Sequence, residues 1–219
     1  MFKAIRTALV GATVAALCAT AAAQPVRGTI ETVDGNVLSL KSKDGAQTQL
    51  TLTLTLTDNA LIVAVVKASM ADIKEGTYLG SAAIPQPDGS QKALQVHIFP
   101  EQMRGTGEGH RPYAPVPSGT MTNGTMSRSA MTGGAMTNGA TSGSTVAGVD
   151  GSATIVVKYK DGEQKIVIAP NVPIVRYEIG SQADLKPGAR FTVGAATKKP
   201  DGTLEANRIN VGREGVVPQ

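Results

Sequence analysis

The chain has 219 residues, a formal charge of +4, 3% aromatic side chains, no Trp and a single Cys. Lys3 and Arg6 fall in the first 23 positions, which hold no Asp or Glu, so the remainder is nearly neutral at 19 basic against 17 acidic side chains. That balance and the scarcity of aromatics exclude a basic, aromatic-rich nucleic-acid-binding surface.

Residues 1–23 read as a secretory signal peptide: a basic start, an apolar run over 8–16, and Ala21-Ala22-Ala23 as the cleavage site before Gln24. Thr7, Thr13 and Thr20 interrupt the run, which argues against a membrane anchor. Cys18 follows Leu17, where a lipidation signal needs a small residue, so no lipoprotein is expected. Cleavage leaves no cysteine in the mature chain, which excludes disulfides, thiolate metal sites and a cysteine nucleophile. The expected product has no membrane span and is periplasmic or secreted.

Four blocks then recur in the same order. Val33-Asp34-Gly35 returns as Val149-Asp150-Gly151, and Lys43-Asp44-Gly45 as Lys160-Asp161-Gly162. Ala71-Asp72-Ile73-Lys74-Glu75-Gly76 returns as Ala183-Asp184-Leu185-Lys186-Pro187-Gly188, and Pro87-Asp88-Gly89-Ser90 as Pro200-Asp201-Gly202-Thr203. The pattern predicts strands over 28–33, 37–41, 49–57, 61–66, 78–84 and 93–99 in the first copy. In the second it predicts them near 146 and over 154–159, 165–168, 174–178, 191–196 and 205–211. Asp-Gly pairs between such runs favour tight hairpin turns, and each Ala-Asp block suggests one helical turn closed by Gly76 or Gly188. Asp44 to Asn59 is 15 residues against 10 from Asp161 to Asn171, an excess assigned to the Leu-Thr alternation at 50–57 and expected to need a compensating bulge or turn change.

The expected fold is therefore all-β: two tandem small OB-like, Greek-key β-barrel units over 24–101 and 146–215, with a short tail at 216–219. The intervening 102–145 is rich in Gly, Thr, Ser and Met, and Arg128 is the only charge over 118–145. It reads as a disordered low-complexity linker.

Within it Met121, Met126, Met131 and Met136 recur every five residues. Thioether sulfur is a soft ligand, so these four, with Met103 and His110, are the candidate metal ligands, for copper in its reduced state. A period of five matches neither helix nor strand, and repeat expansion in a neutral linker explains it equally. Only His97 and His110 exist, which leaves no zinc motif or histidine relay. His97 aligns with Asn210 and is expected at a partly exposed structural position. The paired carboxylates Asp34/Asp150, Asp44/Asp161 and Asp88/Asp201 all precede Gly and read as turn residues. Lys41, Lys43, Lys158, Lys160 and Lys165 read as a solvated face.

The VDG, KDG, ADLKPG and PDGT blocks, with Ala206-Asn207-Arg208-Ile209-Asn210-Val211-Gly212-Arg213 after them, resemble a group of uncharacterised exported bacterial proteins with duplicated OB-like domains of unknown function. Some of that group carry a metal transporter permease label, which this sequence does not support, since a permease needs membrane-spanning helices. The resemblance implies export and OB-like barrels; its motifs are turns, so no functional residue carries over. The expected function is non-enzymatic: a binding or scaffold module for an envelope protein or small ligand, with no cofactor. The alternative is periplasmic copper handling through the Met-rich linker.

Overall fold

A computed structural model describes residues 24–43, 49–113, 115–127, 146–147 and 152–218. Thirteen strands form among them: β1 (Gln24–Asp34), β2 (Val37–Lys43), β3 (Gln49–Ala68), β4 (Tyr78–Pro85), β5 (Gln91–Ile98), β6 (Gly109–Pro112), β7 (Thr120–Ser127), β8 (Val146–Ala147), β9 (Ala153–Tyr159), β10 (Gly162–Ile168), β11 (Ile174–Ile179), β12 (Arg190–Lys198) and β13 (Leu204–Gly212). The helical pieces among the described residues are three 3-10 turns, Met70–Asp72, Glu101–Met103 and Gln182–Asp184. No described helix is long and apolar enough to cross a membrane. The signal-peptide reading falls on 1–23, outside the described residues.

Pairing closes two rings, so the protein is all-β with a β-barrel core. In the first, β1 lies between β2 and β12, β2 pairs with β3, β3 runs parallel to β13, and β13 pairs with β12. In the second, β9 lies between β10 and β7, β7 pairs with β4, β4 with β5, and β5 runs parallel to β10. Strand β11 joins the rings, antiparallel to β3 and parallel to β5.

The rings do not follow the tandem division at 24–101 and 146–215. The first closes β1, β2 and β3 of one copy with β12 and β13 of the other, and the second takes β4 and β5 in return. The reason lies in β3, whose 20 residues contain no Gly or Pro. At about 3.3 Å per residue it spans roughly 66 Å, too far for one barrel wall, and it delivers the following hairpin to the other ring. In the β3–β11 ladder Val65 faces Tyr177, its own equivalent 112 residues on, the separation that also relates Asp72 to Asp184. A local twofold therefore runs through that pair.

The middle segment is a second correction. Part of the expected linker, 102–145, is β6 and β7, and β7 fills in the second ring the place that β1 fills in the first. Thr125 lies opposite Tyr78 and Lys158, as Thr29 lies opposite Arg190 and Lys41. Met126 donates its amide to Thr77, as Ile30 does to Ala189. A Cβ on Gly124 would collide with the Lys158 carbonyl, and one on Gly28 with the Lys41 carbonyl. Residues 128–145 of the expected linker lie outside the described residues.

The length excess moves as well. Lys41 faces Thr51 and Lys158 faces Glu163, so the five extra residues fall between Lys41 and Thr51, a stretch whose 44–48 lie outside the described residues. The ladder inside is in register, and Leu54 and Leu56 face the core as Ile166 and Ile168 do. A bulge does interrupt the β3–β13 pairing, between Ala206 and Arg208, but the odd excess needs none.

Each ring encloses its own core. Ile30, Leu38, Leu40, Leu54, Phe191 and Val211 fill the first, Leu79, Val96, Met126, Ile155 and Ile166 the second. The Ala-Asp blocks plug them crosswise: Leu185 of the second copy enters the first core and Ile73 of the first copy the second. Both blocks start with a capped turn, the Ser69 and Ser181 amides donating to Asp72 and Asp184 at 2.8 and 2.9 Å. Gly76 and Gly188 close them at φ 85° and 86°. A third cluster, Val63, Val65, Tyr78, Phe99, Met103, Val175 and Tyr177, packs on the sheet where the rings meet.

Candidate functional site

Alternation along β1 turns Ile30 into the barrel and leaves Arg27 and Thr29 outside. Thr29 faces Lys41 on β2 and Arg190 on β12, so three strands bring three cations to one outer face. Arg27, Thr29, Lys41, Ser42 and Arg190 line an open cleft of about 510 Å3. The Ser42 hydroxyl donates to the Arg27 carbonyl at 2.7 Å and fixes the β1 edge. Arg190 donates to the Thr29 hydroxyl at 3.3 Å, while Lys41 pairs with Glu31. The chain after β13 frames the cleft as far as Pro218, whose carbonyl accepts from the Thr192 hydroxyl at 2.9 Å.

The equivalent face of the second barrel is closed. Residues 100–112 fold over it, and β6 pairs along the outer edge of β7. The Met103 side chain packs with Tyr78 and Phe99. Arg104 lies 5.7 Å from the centre of the Tyr78 ring and donates to Thr125 Oγ1 at 3.2 Å and to the Gly76 carbonyl at 2.9 Å. Its fork is held by Glu101 at 2.5 and 2.8 Å, and that hydrogen-bonded carboxylate raises the Arg104 pKa. The Thr106 carbonyl accepts from Asn123 Nδ2 at 3.0 Å and from the Tyr78 hydroxyl at 3.2 Å.

The described candidate metal ligands, Met103, His110, Met121 and Met126, are not brought together. Met126 is buried in the second barrel's core and Met103 in the cluster between the rings. Met121 lies on the opposite face of β7 from Met126, because five residues along a strand reverse the side-chain direction. His110 is exposed on β6, its Nδ1 2.8 Å from the Thr122 hydroxyl. Met131 and Met136 lie outside the described residues. Among the described residues no group of three His, Cys, Asp or Glu is placed to hold a metal ion.

His97, expected to be partly exposed, is 5% exposed. Its ring stacks on Tyr177 at 5.2 Å, and among the described residues its Nε2 has no hydrogen-bond partner. Burial pushes its pKa down to about 4 and that of Tyr177 up to about 12. The reversal of exposure comes from Tyr177: the ring covers the strand position that Asn210 occupies in the other copy, where Val65 stands in place of Tyr177. Asp88 and Asp201 are turn carboxylates, each accepting the amide and hydroxyl of the residue two places on, Ser90 or Thr203. Asp34 ends β1 before Gly35 at φ 55°, and Asp161 lies in the turn before β10. Asp44 and Asp150 lie outside the described residues.

Arg27 and Arg190 are the residues the sequence did not single out. Arg190 aligns with Tyr78, and nothing in the repeat marks that exchange as meaningful until the strands pair across copies. Comparison with protein-family models, with curated proteins and with solved structures gives no match.

Proposed function

We propose that this protein is a non-enzymatic binding or scaffold module of the bacterial envelope, exported to the periplasm or secreted, and that its ligand face is the outer side of the first barrel. The observation that carries the reading is the difference between two equivalent faces. One is sealed by residues 100–112 of the same chain; the other is an open, cation-lined cleft. The sealed barrel is the scaffold that holds the open one.

Each ring is read as an OB-type barrel with its last hairpin exchanged. The pairing order of the first ring and the parallel β3–β13 contact support that reading. The partner is an envelope protein or a small ligand of the same compartment. Amide shift mapping of the labelled protein with soluble cell-wall fragments and fractionated periplasmic extract tests this. Perturbation is expected around Arg27, Thr29, Lys41 and Arg190; perturbation confined to the second barrel contradicts the assignment.

A further inference from the structure

Resting on that reading of the first barrel's face, we propose that Arg27 and Arg190 form an oxyanion site that receives a phosphate or carboxylate group of the ligand. The second barrel shows what this pair of positions does. There Asn123 and Tyr78, on neighbouring strands, aim two neutral donors at one oxygen, the Thr106 carbonyl. Arg27 stands where Asn123 stands, and Arg190 where Tyr78 does, because Thr29 faces Arg190 as Thr125 faces Tyr78. The first barrel therefore puts two guanidiniums where the second puts an amide and a phenol. Neutral donors suit a carbonyl oxygen, whereas paired guanidiniums suit an oxygen that carries charge, and their planar forks match phosphate and carboxylate.

Charge pairing points the same way. Of the other five described arginines, three are matched by carboxylates, Arg104 by Glu101, Arg176 by Asp72 and Glu178, and Arg213 by Glu178 and Asp184, while Arg111 and Arg208 donate to the Gly107 carbonyl and the Asn210 side chain. Among the described residues Arg27 and Arg190 have no carboxylate partner, and Lys41 beside them is already taken by Glu31. The cleft they share, about 510 Å3 and open to solvent, has room for a sugar phosphate or a uronic acid unit.

The test is an amide-detected NMR titration of the whole chain at constant ionic strength with inorganic phosphate, glucose 6-phosphate and a galacturonate trimer, and with chloride as the reference anion. Saturable shifts are expected around Arg27, Thr29 and Arg190, with at least one oxyanion binding tenfold or more tightly than chloride. Preference for the phosphate ester or the uronate identifies the source of the group. The variant Arg27→Asn/Arg190→Tyr carries the residues that the second barrel tolerates at these places, so it is expected to fold and to lose at least tenfold in affinity. Lys158→Gln, exposed on the second barrel, leaves affinity unchanged. Shifts equal to those with chloride, or a titration unchanged in the double variant, overturn the proposal. So does a double variant that melts several degrees lower when the parent protein shows no saturable shift, since the pair is then purely structural. Cell-wall fragments that still map to this face in the double variant remove the oxyanion site and leave the proposed function standing.

Discussion

At the scale of single residues, His97 sets the acid behaviour. Its folded pKa of about 4 lies below the ordinary 6.5, so the unfolded chain takes up the proton first. Its contribution to stability is then full above pH 6.5, falls as the pH drops and is lost by about pH 4; below that, the carboxyls of Asp72 and Asp184, held low by their hydrogen bonds, are protonated in turn. The His97 shift corresponds to about 3 kcal/mol across its window. Urea unfolding at pH 7.5 and pH 4.5 is expected to show most of this loss, and His97→Asn, the residue at the equivalent place, is expected to flatten the curve. An unchanged slope in that variant removes His97 as the cause. The plugs carry comparable weight: Leu185 and Ile73 are buried in the two cores, and replacing either by Ala is expected to cost about 3 kcal/mol in denaturant unfolding.

At the scale of elements, β7 is the informative strand. Its Gly124-Thr125-Met126 repeats the chemistry of Gly28-Thr29-Ile30, a small residue under a crossing carbonyl and an apolar residue facing the core. Three residues inside a Gly, Thr and Met repetition are too short to stand out, which is why a strand reads as linker. Removing 128–147 joins Ser127 to Gly148-Val149-Asp150-Gly151, the same length as Glu31 followed by Thr32-Val33-Asp34-Gly35. That excision is expected to leave the melting temperature within a few degrees, whereas removing 118–145 deletes β7 and opens the second barrel. Thermal unfolding of the two deletions side by side separates them; equal melting temperatures contradict the role given to β7. Most other strands are legible because alternation and Asp-Gly punctuation are local signals. The excess at 50–57 misleads because a longer hairpin tip and a longer strand add the same residues to the sequence.

At the scale of the whole molecule, the exchange of hairpins decides everything that follows. It is not legible, because repeated blocks look the same whether each barrel closes on its own copy or on the other. Alternation says which side chains face a core; it does not say whose core. The candidate site depends on the exchange, since Arg190 of the second copy lies beside Thr29 of the first only if β12 closes the first ring. The exchange also makes the halves interdependent. A single cooperative transition is expected on heating, and fragments 24–114 and 115–219 expressed separately are expected to lack the dispersed amide spectrum of a folded barrel, then to recover it when mixed. A folded isolated fragment contradicts this.

The most direct test of the account is the set of interstrand proton contacts in the full chain. Cross-peaks are expected between Gly28 and Phe191, between Ile62 and Ile209, and between Ile174 and Val96, the neighbours in the exchanged ladders. Cross-peaks instead between Gly28 and Leu79, between Ile62 and Val96, and between Ile174 and Ile209 would place each hairpin on its own copy, remove Arg190 from the first barrel's face, and contradict the account.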